Sequence, residues 1–335
     1  MLKKTTFIGI DIASKTFVST IFNSKKSVTE EFTNNLEGFN SFVSWLKKNR
    51  VKTNNSIVIM EATGVYNEEL CHFLYKNSYD LCVENPLKVK RAFGISPKKT
   101  DIIDSKRIAE YGFRFLDQIK LWQPPQDVIE EIKELLSLRE NLVKQNTANK
   151  NILKALKRKV IQNELSIKLI EKLINEIKVK IKEIVNELKR LVLINKEIGF
   201  NYINLISIPG VSLLLASEII ALTNNFNKTR DPREIASYLG ISPNEHSSGT
   251  MFKKPKSSGY GHSRIRKLIY LASCSIKTHN KEFKNYFNRK VLEGKNKRLV
   301  LNNISNKIIK IMCGIANSGK PFIQGYVSLS PSLAA

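Results

Sequence analysis

This chain has few of the features that mark secreted or membrane-embedded proteins. Its 335 residues include four cysteines, Cys71, Cys82, Cys274 and Cys313. Their spacing fits neither a zinc site nor a dense disulfide framework, so we expect reduced, structural thiols. There is no apolar run of about 18 residues or more, and the N-terminus lacks a signal-peptide layout. These absences exclude a membrane-spanning protein and predict a cytoplasmic one.

Acidic residues are scarce relative to basic ones. The chain has 55 Lys and Arg against 30 Asp and Glu, a net charge of +25, and a pI near 9.8. The excess runs through much of the chain, whereas a membrane-surface protein would more often concentrate it on one amphipathic helix or a tail. Because such a charge attracts polyphosphate through counterion release, nucleic acid is the expected partner.

The first part of the chain has the pattern of alternating strands and helices. An apolar run at residues 7–12 predicts a buried strand, and two β-rich runs at residues 16–23 and 27–32 predict an antiparallel meander. A helix, a strand, a second helix, a further strand and a helix over residues 101–115 follow. This order predicts an α/β fold that resembles the ribonuclease-H-like fold.

Four carboxylates, which we call the acidic tetrad, lie where this pattern places strand ends or one helix face. Asp11 and Glu61 end buried strands, and Asp101 and Asp104 are three residues apart on a helix. Burying like charges together is unfavourable unless a cation compensates them, and oxygen ligands suit Mg²⁺ or Mn²⁺. Two such ions about 3.5 to 4 Å apart would clamp both reacting oxygens of a phosphodiester. Any one of these acids taken alone is better explained as a solvated strand end or a helix cap, whereas the four together favour a metal site.

A long segment without glycine or proline separates the two ends of the chain. It runs from Gln126 to Ile198 after Pro124 and Pro125, which predicts a separate helical module over residues 126–198. Apolar residues within it step by four and three, the heptad spacing of a coiled-coil seam, at Ile170, Ile174, Ile177, Ile181, Ile184, Leu188 and Leu191. The stripe fits either dimerisation or an intramolecular hairpin that turns near residues 145–151.

The last module, residues 201–335, is rich in basic residues interleaved with aromatic ones. Between Lys253 and Arg298 there are 14 Lys or Arg against two acids, Glu282 and Glu293. Nucleic-acid phosphates fit such a surface, although a solvated face explains any single lysine. The residues that we expect to contact nucleic acid are Lys253, Lys254, Lys256, Arg264, Arg266 and Lys267.

A set of short motifs follows a defined order along nearly the whole chain. The motifs are Gly9-Ile10-Asp11, Glu61-Ala62-Thr63-Gly64, Lys99-Thr100-Asp101 with Asp104, Ile208-Pro209-Gly210, Gly240-Ile241-Ser242-Pro243, Ser248-Gly249 and Gly261-His262. Each motif alone is weak, but the ordered set is specific. In this order they resemble the insertion-sequence 110 (IS110) family of transposases.

The resemblance implies a three-part architecture. Residues 1–118 would form a RuvC-like, ribonuclease-H-like domain in which the acidic tetrad is catalytic and binds Mg²⁺ or Mn²⁺. Residues 126–198 would form a coiled coil for oligomerisation, and residues 201–335 a mainly α transposase domain with a catalytic serine. In the family's pattern the serine directly before the glycine is the nucleophile, which assigns that role to Ser248 rather than Ser247.

The resemblance also implies a recombinase of mobile DNA that acts as a homotetramer, a dimer of dimers, at the bacterial nucleoid. A bridge RNA encoded by the element would pair with donor and target DNA. Attack by Ser248 on a phosphodiester would give a phosphoserine link that conserves bond energy for strand exchange. Because the helical module separates Asp104 from Ser248 at about 1.5 Å per residue, we expect the two to meet in trans.

Two other functions remain open from the sequence. A Holliday-junction-type endonuclease on the same fold would use the tetrad to activate water, with Ser248 as a turn residue beside a glycine. A non-catalytic nucleic-acid-binding protein would need only the basic surface, and the four intact acids argue against it. A DNA-linked protein intermediate would distinguish the recombinase from both alternatives.

Overall fold

The chain divides into two compact units, Met1–Pro124 and Pro125–Ala335. The structure is a computed structural model that describes residues 4–24, 26–62, 64–93, 100–248, 251–257 and 261–325, with the backbone alone between residues 243 and 257. No helix in these ranges combines the length and the apolar composition that crossing a membrane requires.

The first unit contains a five-stranded mixed sheet with helices packed on both faces. Its elements are β1 (Thr6–Ile12), β2 (Thr16–Asn23), β3 (Lys26–Thr33), α1 (Leu36–Lys48), β4 (Ser56–Glu61), α2 (Glu68–Lys76), β5 (Leu81–Glu84), α3 (Pro86–Phe93) and α4 (Asp101–Arg114). The strand order is β3-β2-β1-β4-β5, in which β1, β2 and β3 are antiparallel neighbours and β4 and β5 run parallel to β1.

The predicted order of strands and helices in this unit is confirmed, with one helix added. The sequence pattern missed α3, since Pro86 was taken only as the end of the preceding strand. Pro86 is instead the first residue of that helix. Proline suits this position because its fixed φ is helical and its missing N–H would have no partner within the helix.

Alternation along β1 assigns its residues to two different cores. The three isoleucines of the strand lie in a core that α1 and α2 close. Phe7 lies in a smaller cluster on the opposite face, together with Ile59 of β4 and Ile108 of α4. Because successive strand residues point to opposite faces, Gly9 and Asp11 share the face of Phe7. The face that α4 covers is therefore the face that carries the first acid.

Within its described residues, the second unit is helical apart from one two-stranded hairpin. Its elements are α5 (Asp127–Leu156), α6 (Glu164–Ile194), α7 (Lys196–Ile206), α8 (Leu213–Thr223), α9 (Pro232–Tyr238), β6 (Pro243–Ser248), β7 (Met251–Ser257), α10 (Ser263–His279), α11 (Lys281–Leu292) and α12 (Lys297–Ser318). The predicted modules 126–198 and 201–335 share one hydrophobic core, in which Ile129 of α5 lies with Ile304 of α12.

Helices α5 and α6 pack against each other as an intramolecular hairpin. Ile129 and Leu136, near the start of α5, lie in one cluster with Ile184 and Leu191, near the end of α6. The two helices are therefore antiparallel, and the apolar stripe of α6 is largely buried within its own chain. The structure thus favours the hairpin alternative, and a coiled coil between chains stays a prediction.

The turn of this hairpin differs from the predicted one. It spans residues 157–163, whereas the sequence had suggested residues 145–151. The polar residues 145–151 continue α5, because polar side chains other than Gly and Pro cost a helix little. Asn163 begins α6 as its cap, with the side chain accepting a hydrogen bond from the Ser166 backbone N–H at 3.0 Å.

Candidate active site

Asp11 and Glu61 lie side by side on the two central strands. The parallel strands β1 and β4 place Ile10 opposite Met60, so the next residue of each strand lies at the same level, about 4.8 Å away across the ladder. Glu61 also shares the face of Ile59, two residues earlier, which is the α4 face. Both acids are partly exposed. Two carboxylates of the tetrad thus lie at the same end of the sheet and on the same face.

Gly9 allows α4 to pack directly on β1. A Cβ atom at Gly9 would lie 2.1 Å from the Ser105 carbonyl oxygen and 2.3 Å from the Ala109 nitrogen. Only glycine therefore permits this approach. The Ser105 hydroxyl also forms a buried hydrogen bond of 2.8 Å with the Thr20 hydroxyl of β2. These contacts fix α4 against the strand that carries Asp11.

The direction of α4 brings its first turn toward the end of β1 at Asp11. Ser105 packs at Gly9, whereas a Cβ atom at Gly112, two turns later, would lie 3.3 Å from the ring of Phe7. Lower residue numbers in the helix therefore correspond to higher numbers in the strand. The helix runs antiparallel to β1, and its N-terminal turn lies at the strand end that carries the first two acids.

Asp101 and Asp104 occupy this first turn of α4. A carboxylate is favoured there by the helix dipole. The Thr100 side chain caps the helix by accepting a hydrogen bond from the Ile103 backbone N–H at 3.3 Å. Asp101 is exposed, and Asp104 forms an ion pair of 3.8 Å with Arg107. The first turn of α4 thus accommodates both acids, and carboxylate oxygens of Asp101 and Asp104 remain accessible at the surface.

The four tetrad residues lie at the same end of the sheet, but their side chains are not close enough together to ligate one metal ion. In the part of the chain that the structure describes, no group of three or more His, Cys, Asp or Glu side chains is close enough to hold a metal ion. The chemistry of the donors nevertheless fits Mg²⁺ or Mn²⁺, because all four supply carboxylate oxygens. Thr63 and Lys99 of the predicted motifs lie outside the described residues.

Glu84 is a further carboxylate at this edge whose role the sequence pattern did not reveal. It lies opposite Glu61 in the β4–β5 pairing. Its oxygens accept hydrogen bonds from the Asn85 N–H at 2.8 Å and the Tyr111 hydroxyl at 3.2 Å, and one forms an ion pair of 3.2 Å with Lys88. Burial, and then the charge of Glu84, raise the pKa of Tyr111 to about 12. Glu84 therefore fastens α3 and α4 to β5.

Asn34 joins the loops that follow the two acid-bearing strands. Its side-chain amide nitrogen donates to the Ala13 carbonyl and to the Tyr66 carbonyl, each at 3.0 Å. Ala13 follows Asp11 by two residues, and Tyr66 follows Glu61 by five. The amide therefore ties together the two strand ends that carry acids. The sequence alone suggests only a turn residue here, since asparagine after a strand is common in turns.

Ser248 is the last residue of β6 and lies at the tip of the β6–β7 hairpin. It is opposite Met251, while Pro243 and Ser257 are opposite each other at the base. At about 3.3 Å per residue, the tip lies roughly 15 Å from the base. Several predicted site features lie outside what the structure describes, namely Gly249 and the side chains of Ser248, Lys253, Lys254 and Lys256.

The base of the β6–β7 hairpin is held by the helices around it. A Cβ atom at Gly261, whose φ is 141°, would lie 2.7 Å from the Gly240 nitrogen. The chain leaving the hairpin thus packs directly on the chain entering it. The side-chain amides of Asn302 and Asn306 both donate to the Ile241 carbonyl, at 2.8 and 3.2 Å. These contacts hold the base of the β6–β7 hairpin in a fixed position.

Two of the predicted nucleic-acid contacts outside the hairpin have partners within the unit. Arg264 forms an ion pair with Glu218, including a hydrogen bond of 2.9 Å from Nη2. Arg266 donates from Nη1 to the Leu239 carbonyl at 3.3 Å. Lys267 is exposed. A nucleic-acid role for each stays a prediction, and the geometry gives Arg264 and Arg266 structural roles as well.

The Arg264–Glu218 pair is expected to be a stability determinant. The side chains of Glu218 and Arg264 are only 3% and 20% exposed. Burial raises the pKa of Glu218, while the hydrogen bond and charge of Arg264 lower it. Replacing Arg264 with leucine should lower the free energy of unfolding by about 3 kcal/mol at neutral pH, because a buried carboxylate loses its partner.

The pH dependence of this cost follows from the same pair. When the folded pKa of Glu218 lies above its unfolded value, folding takes up a proton, so stability falls as the pH rises through that window. Without Arg264 the folded pKa rises further, so the cost should be smaller at pH 5 than at pH 7.5. Denaturant unfolding at both pH values measures it. An Arg264→Leu/Glu218→Leu double variant should recover much of the loss, and a cost that is independent of pH would contradict this prediction.

Comparison with known proteins relates the chain to transposases and to a gene-inverting protein. Residues 8–160 match the family model of the IS110 transposases of the DEDD type, described as "Transposase", and residues 203–288 match the model "Transposase IS116/IS110/IS902 family". The chain is similar to the "Pilin gene-inverting protein" of Moraxella lacunata and to that of Moraxella bovis. Each is 26% identical over 325 residues, which cover 95% of this chain and 97% of the relative.

These matches identify an enzyme of DNA recombination, a DNA transposase or recombinase. The chain belongs to the IS110 family of insertion-sequence transposases. The resemblance seen in the sequence motifs is thereby confirmed.

Proposed function

We propose that this chain is a metal-dependent, RNA-guided DNA recombinase whose first unit has the ribonuclease-H-like, RuvC-like fold. Three antiparallel strands followed by two parallel ones, in the order β3-β2-β1-β4-β5, support that fold. One observation carries the proposal: the packing of α4 on Gly9 directs Asp101 and Asp104 toward the strand ends of Asp11 and Glu61. These four acids would hold Mg²⁺ or Mn²⁺.

In the proposed reaction Ser248 attacks a DNA phosphodiester. Its oxygen bonds to phosphorus, and the bond from phosphorus to one deoxyribose oxygen breaks. The serine proton passes, by way of a base or water, to the leaving oxygen, which becomes a hydroxyl. A bound divalent cation supplies compensation for the charge on the phosphate and the leaving oxygen. The phosphoserine conserves the phosphodiester, so the hydroxyl of another DNA end can displace the serine and rejoin the strands.

We infer that the active form is a homotetramer, a dimer of dimers, that binds donor DNA, target DNA and a bridge RNA. Leu165, Leu169 and Leu173 are exposed at intervals of four along α6, an apolar row that a second chain would cover. The net charge of +25 suits contact with several nucleic-acid strands. The position of Ser248 at the tip of the β6–β7 hairpin supports an active site to which two subunits contribute residues.

The test is to find the covalent bond and identify the residue that carries it. The purified protein is incubated with Mg²⁺, end-labelled DNA of the element's end and RNA transcribed from the element's flank. Protease-sensitive DNA-linked protein on a denaturing gel, with a nucleotide mapped to Ser248 by peptide mass spectrometry, is the expected result. Omitting the RNA should prevent it, because the RNA is proposed to pair with the DNA.

Other outcomes would support the alternatives. Cleaved DNA without any protein-linked species would mean that the tetrad activates water, as in a Holliday-junction-type endonuclease. DNA binding without cleavage would support a non-catalytic nucleic-acid-binding protein. A nucleotide on Ser247 would retain the recombinase and move the nucleophile by one residue.

Asn34 should position the proposed metal ligands. Replacing Asn34 with alanine removes its hydrogen bonds to the loop after Asp11 and to the loop after Glu61. We expect the Mn²⁺ concentration for half-saturation to rise about tenfold, as is typical when a group that orients ligands is lost. Electron paramagnetic resonance of Mn²⁺ added to the full chain measures this without requiring activity.

The neighbouring asparagine offers a matched control. The Asn35 side chain caps α1 by accepting from the Gly38 N–H at 2.9 Å, so Asn35→Ala should cost about 1 kcal/mol of stability. It should leave Mn²⁺ binding unchanged. If both variants weaken Mn²⁺ binding by the same factor, Asn34 acts only through stability and the positioning role is wrong.

A further inference from the structure

Positive side chains of α11 and α12 lie near the ring of Tyr286, a residue of α11. The Lys307 ammonium lies 4.3 Å from the centre of this ring, and the Arg289 guanidinium carbon lies 5.9 Å from it. Lys290 follows Arg289 in sequence, and Lys310 lies one helical turn after Lys307. We call Arg289, Lys290, Lys307 and Lys310 the cationic cluster. Its members are not among the tetrad, the β6–β7 hairpin or the six predicted nucleic-acid contacts, although Arg289 and Lys290 belong to the basic stretch between Lys253 and Arg298.

The charges of the cationic cluster are not balanced by its acidic neighbour. Partial burial, and then the positive charges of Lys310, Arg289 and Lys290, lower the pKa of Lys307. Glu293 forms ion pairs with Lys290 at 2.6 Å and with Arg289 at 3.8 Å. Four cations against this one carboxylate leave an excess of positive charge. A bound anion would relieve the mutual repulsion of these cations.

The contacts with the Tyr286 ring also hold the Lys307 and Arg289 charges in position in the absence of a ligand. A lysine side chain in water loses rotamer freedom when it binds a phosphate, which opposes binding. The face of Tyr286 attracts the Lys307 ammonium and holds it near one position. Lys277 of α10 repeats the arrangement at the neighbouring ring, with its ammonium 5.0 Å from the centre of Phe287. These cations are thus preorganised across three helices.

We propose that the cationic cluster binds the phosphodiester backbone of DNA, at a contact separate from the strand-cleaving site. DNA is the occupant that the family membership favours, since the chain is a DNA transposase. The inference deepens the proposed function by adding a binding site for its substrate, and it does not depend on Ser248 or on the tetrad. Phosphate contacts of this kind fix the position of the protein on a duplex without reading its sequence.

Binding of a fluorescent DNA duplex of random sequence to the full chain, titrated at several salt concentrations, tests this. Lys307→Gln should weaken binding about fivefold and lower the slope of log K against log salt by about one. Tyr286→Leu should weaken binding about threefold with an unchanged slope, because it removes the ring and no charge. Tyr286→Phe keeps the ring and should bind like the wild type.

Lys284 is the matched control. It lies two residues before Tyr286, on the opposite side of α11, and is exposed. Lys284→Gln should change affinity less than about twofold. An equal loss in the Lys284 and Lys307 variants would show that only net charge matters and would overturn the proposal. A loss confined to RNA of the same sequence, tested in parallel, would overturn the assignment to DNA.

Two further readouts separate the possible failures. If Tyr286→Leu lowers the unfolding temperature, Lys307→Gln still tests the site, since it removes the charge and leaves the ring and its packing in place. If Tyr286→Leu binds DNA as tightly as the wild type, the ring has no role and the proposed site is wrong. None of these variants alters Ser248 or the tetrad. A wild-type chain that forms no DNA-linked species would therefore refute the proposed reaction and leave this binding site standing.

Discussion

Replacing Ser248 with alanine is expected to abolish DNA-linked protein and strand exchange, a loss of at least about a thousandfold. The proposed reaction stores the phosphodiester on this oxygen, and a methyl group cannot form that bond. Ser247→Ala is the matched control, since it removes the hydroxyl of the preceding residue in the same strand. It should retain activity within about tenfold. Denaturing gels for linked protein and for rejoined DNA measure both variants.

Mixing two inactive variants tests where the serine and the tetrad meet. A Ser248→Ala chain retains the acids, and an Asp11→Ala chain retains the serine. If the two groups meet between subunits, a mixed oligomer contains one intact site and activity should return. Absence of rescue at any mixing ratio would contradict assembly in trans. Cleavage that survives Ser248→Ala but is lost in Asp104→Ala would assign the chemistry to activated water.

Replacing Gly9 with alanine is expected to destabilise the first unit by about 3 kcal/mol and to lower activity at least a hundredfold. The added Cβ would lie 2.1 Å from the Ser105 carbonyl and 2.3 Å from the Ala109 nitrogen, both of which are backbone atoms. Backbone cannot give way as a side chain can, so α4 must move. Displacing the helix by about 1 Å misplaces Asp101 and Asp104 relative to Asp11. Thermal unfolding and the strand-cleavage assay measure the two effects.

Two other glycines provide controls for the same substitution. A Cβ atom at Gly112 of α4 would meet the flexible end of Ile59, with Cδ1 at 2.4 Å, while at Gly314 of α12 it would meet nothing within 4 Å. Gly314→Ala should stabilise the chain by about 1 kcal/mol through helix propensity alone. Gly112→Ala should cost far less than Gly9→Ala. If Gly9→Ala retains stability and activity within twofold, the close packing of α4 does not place the acids.

The secondary structure of the first unit could be predicted because its signals are local. Asp11 and Glu61 were found as strand ends from apolar runs of a few residues, and Asp101 was found as the start of a helix. The structure assigns the cap of that helix to Thr100. Glu84 has the same kind of position, yet it forms bonds to Tyr111 on another element. Nothing in the residues adjacent to Glu84 in sequence distinguishes a strand-end acid that holds a helix from one that could hold a metal.

The sequence by itself determined the positive charge, the order of strands and helices, the acids at strand ends and the apolar stripe of α6. These are properties of composition and of periods of two or three to four residues, which a chain carries before it folds. Only the tertiary structure decided which partner covers that stripe, that Gly9 brings α4 to the end of Asp11, that Asn34 spans two loops, and that Arg264 has a buried partner. Each of these depends on contacts between residues far apart in the chain, and a local pattern can identify a face of an element without identifying what packs on it.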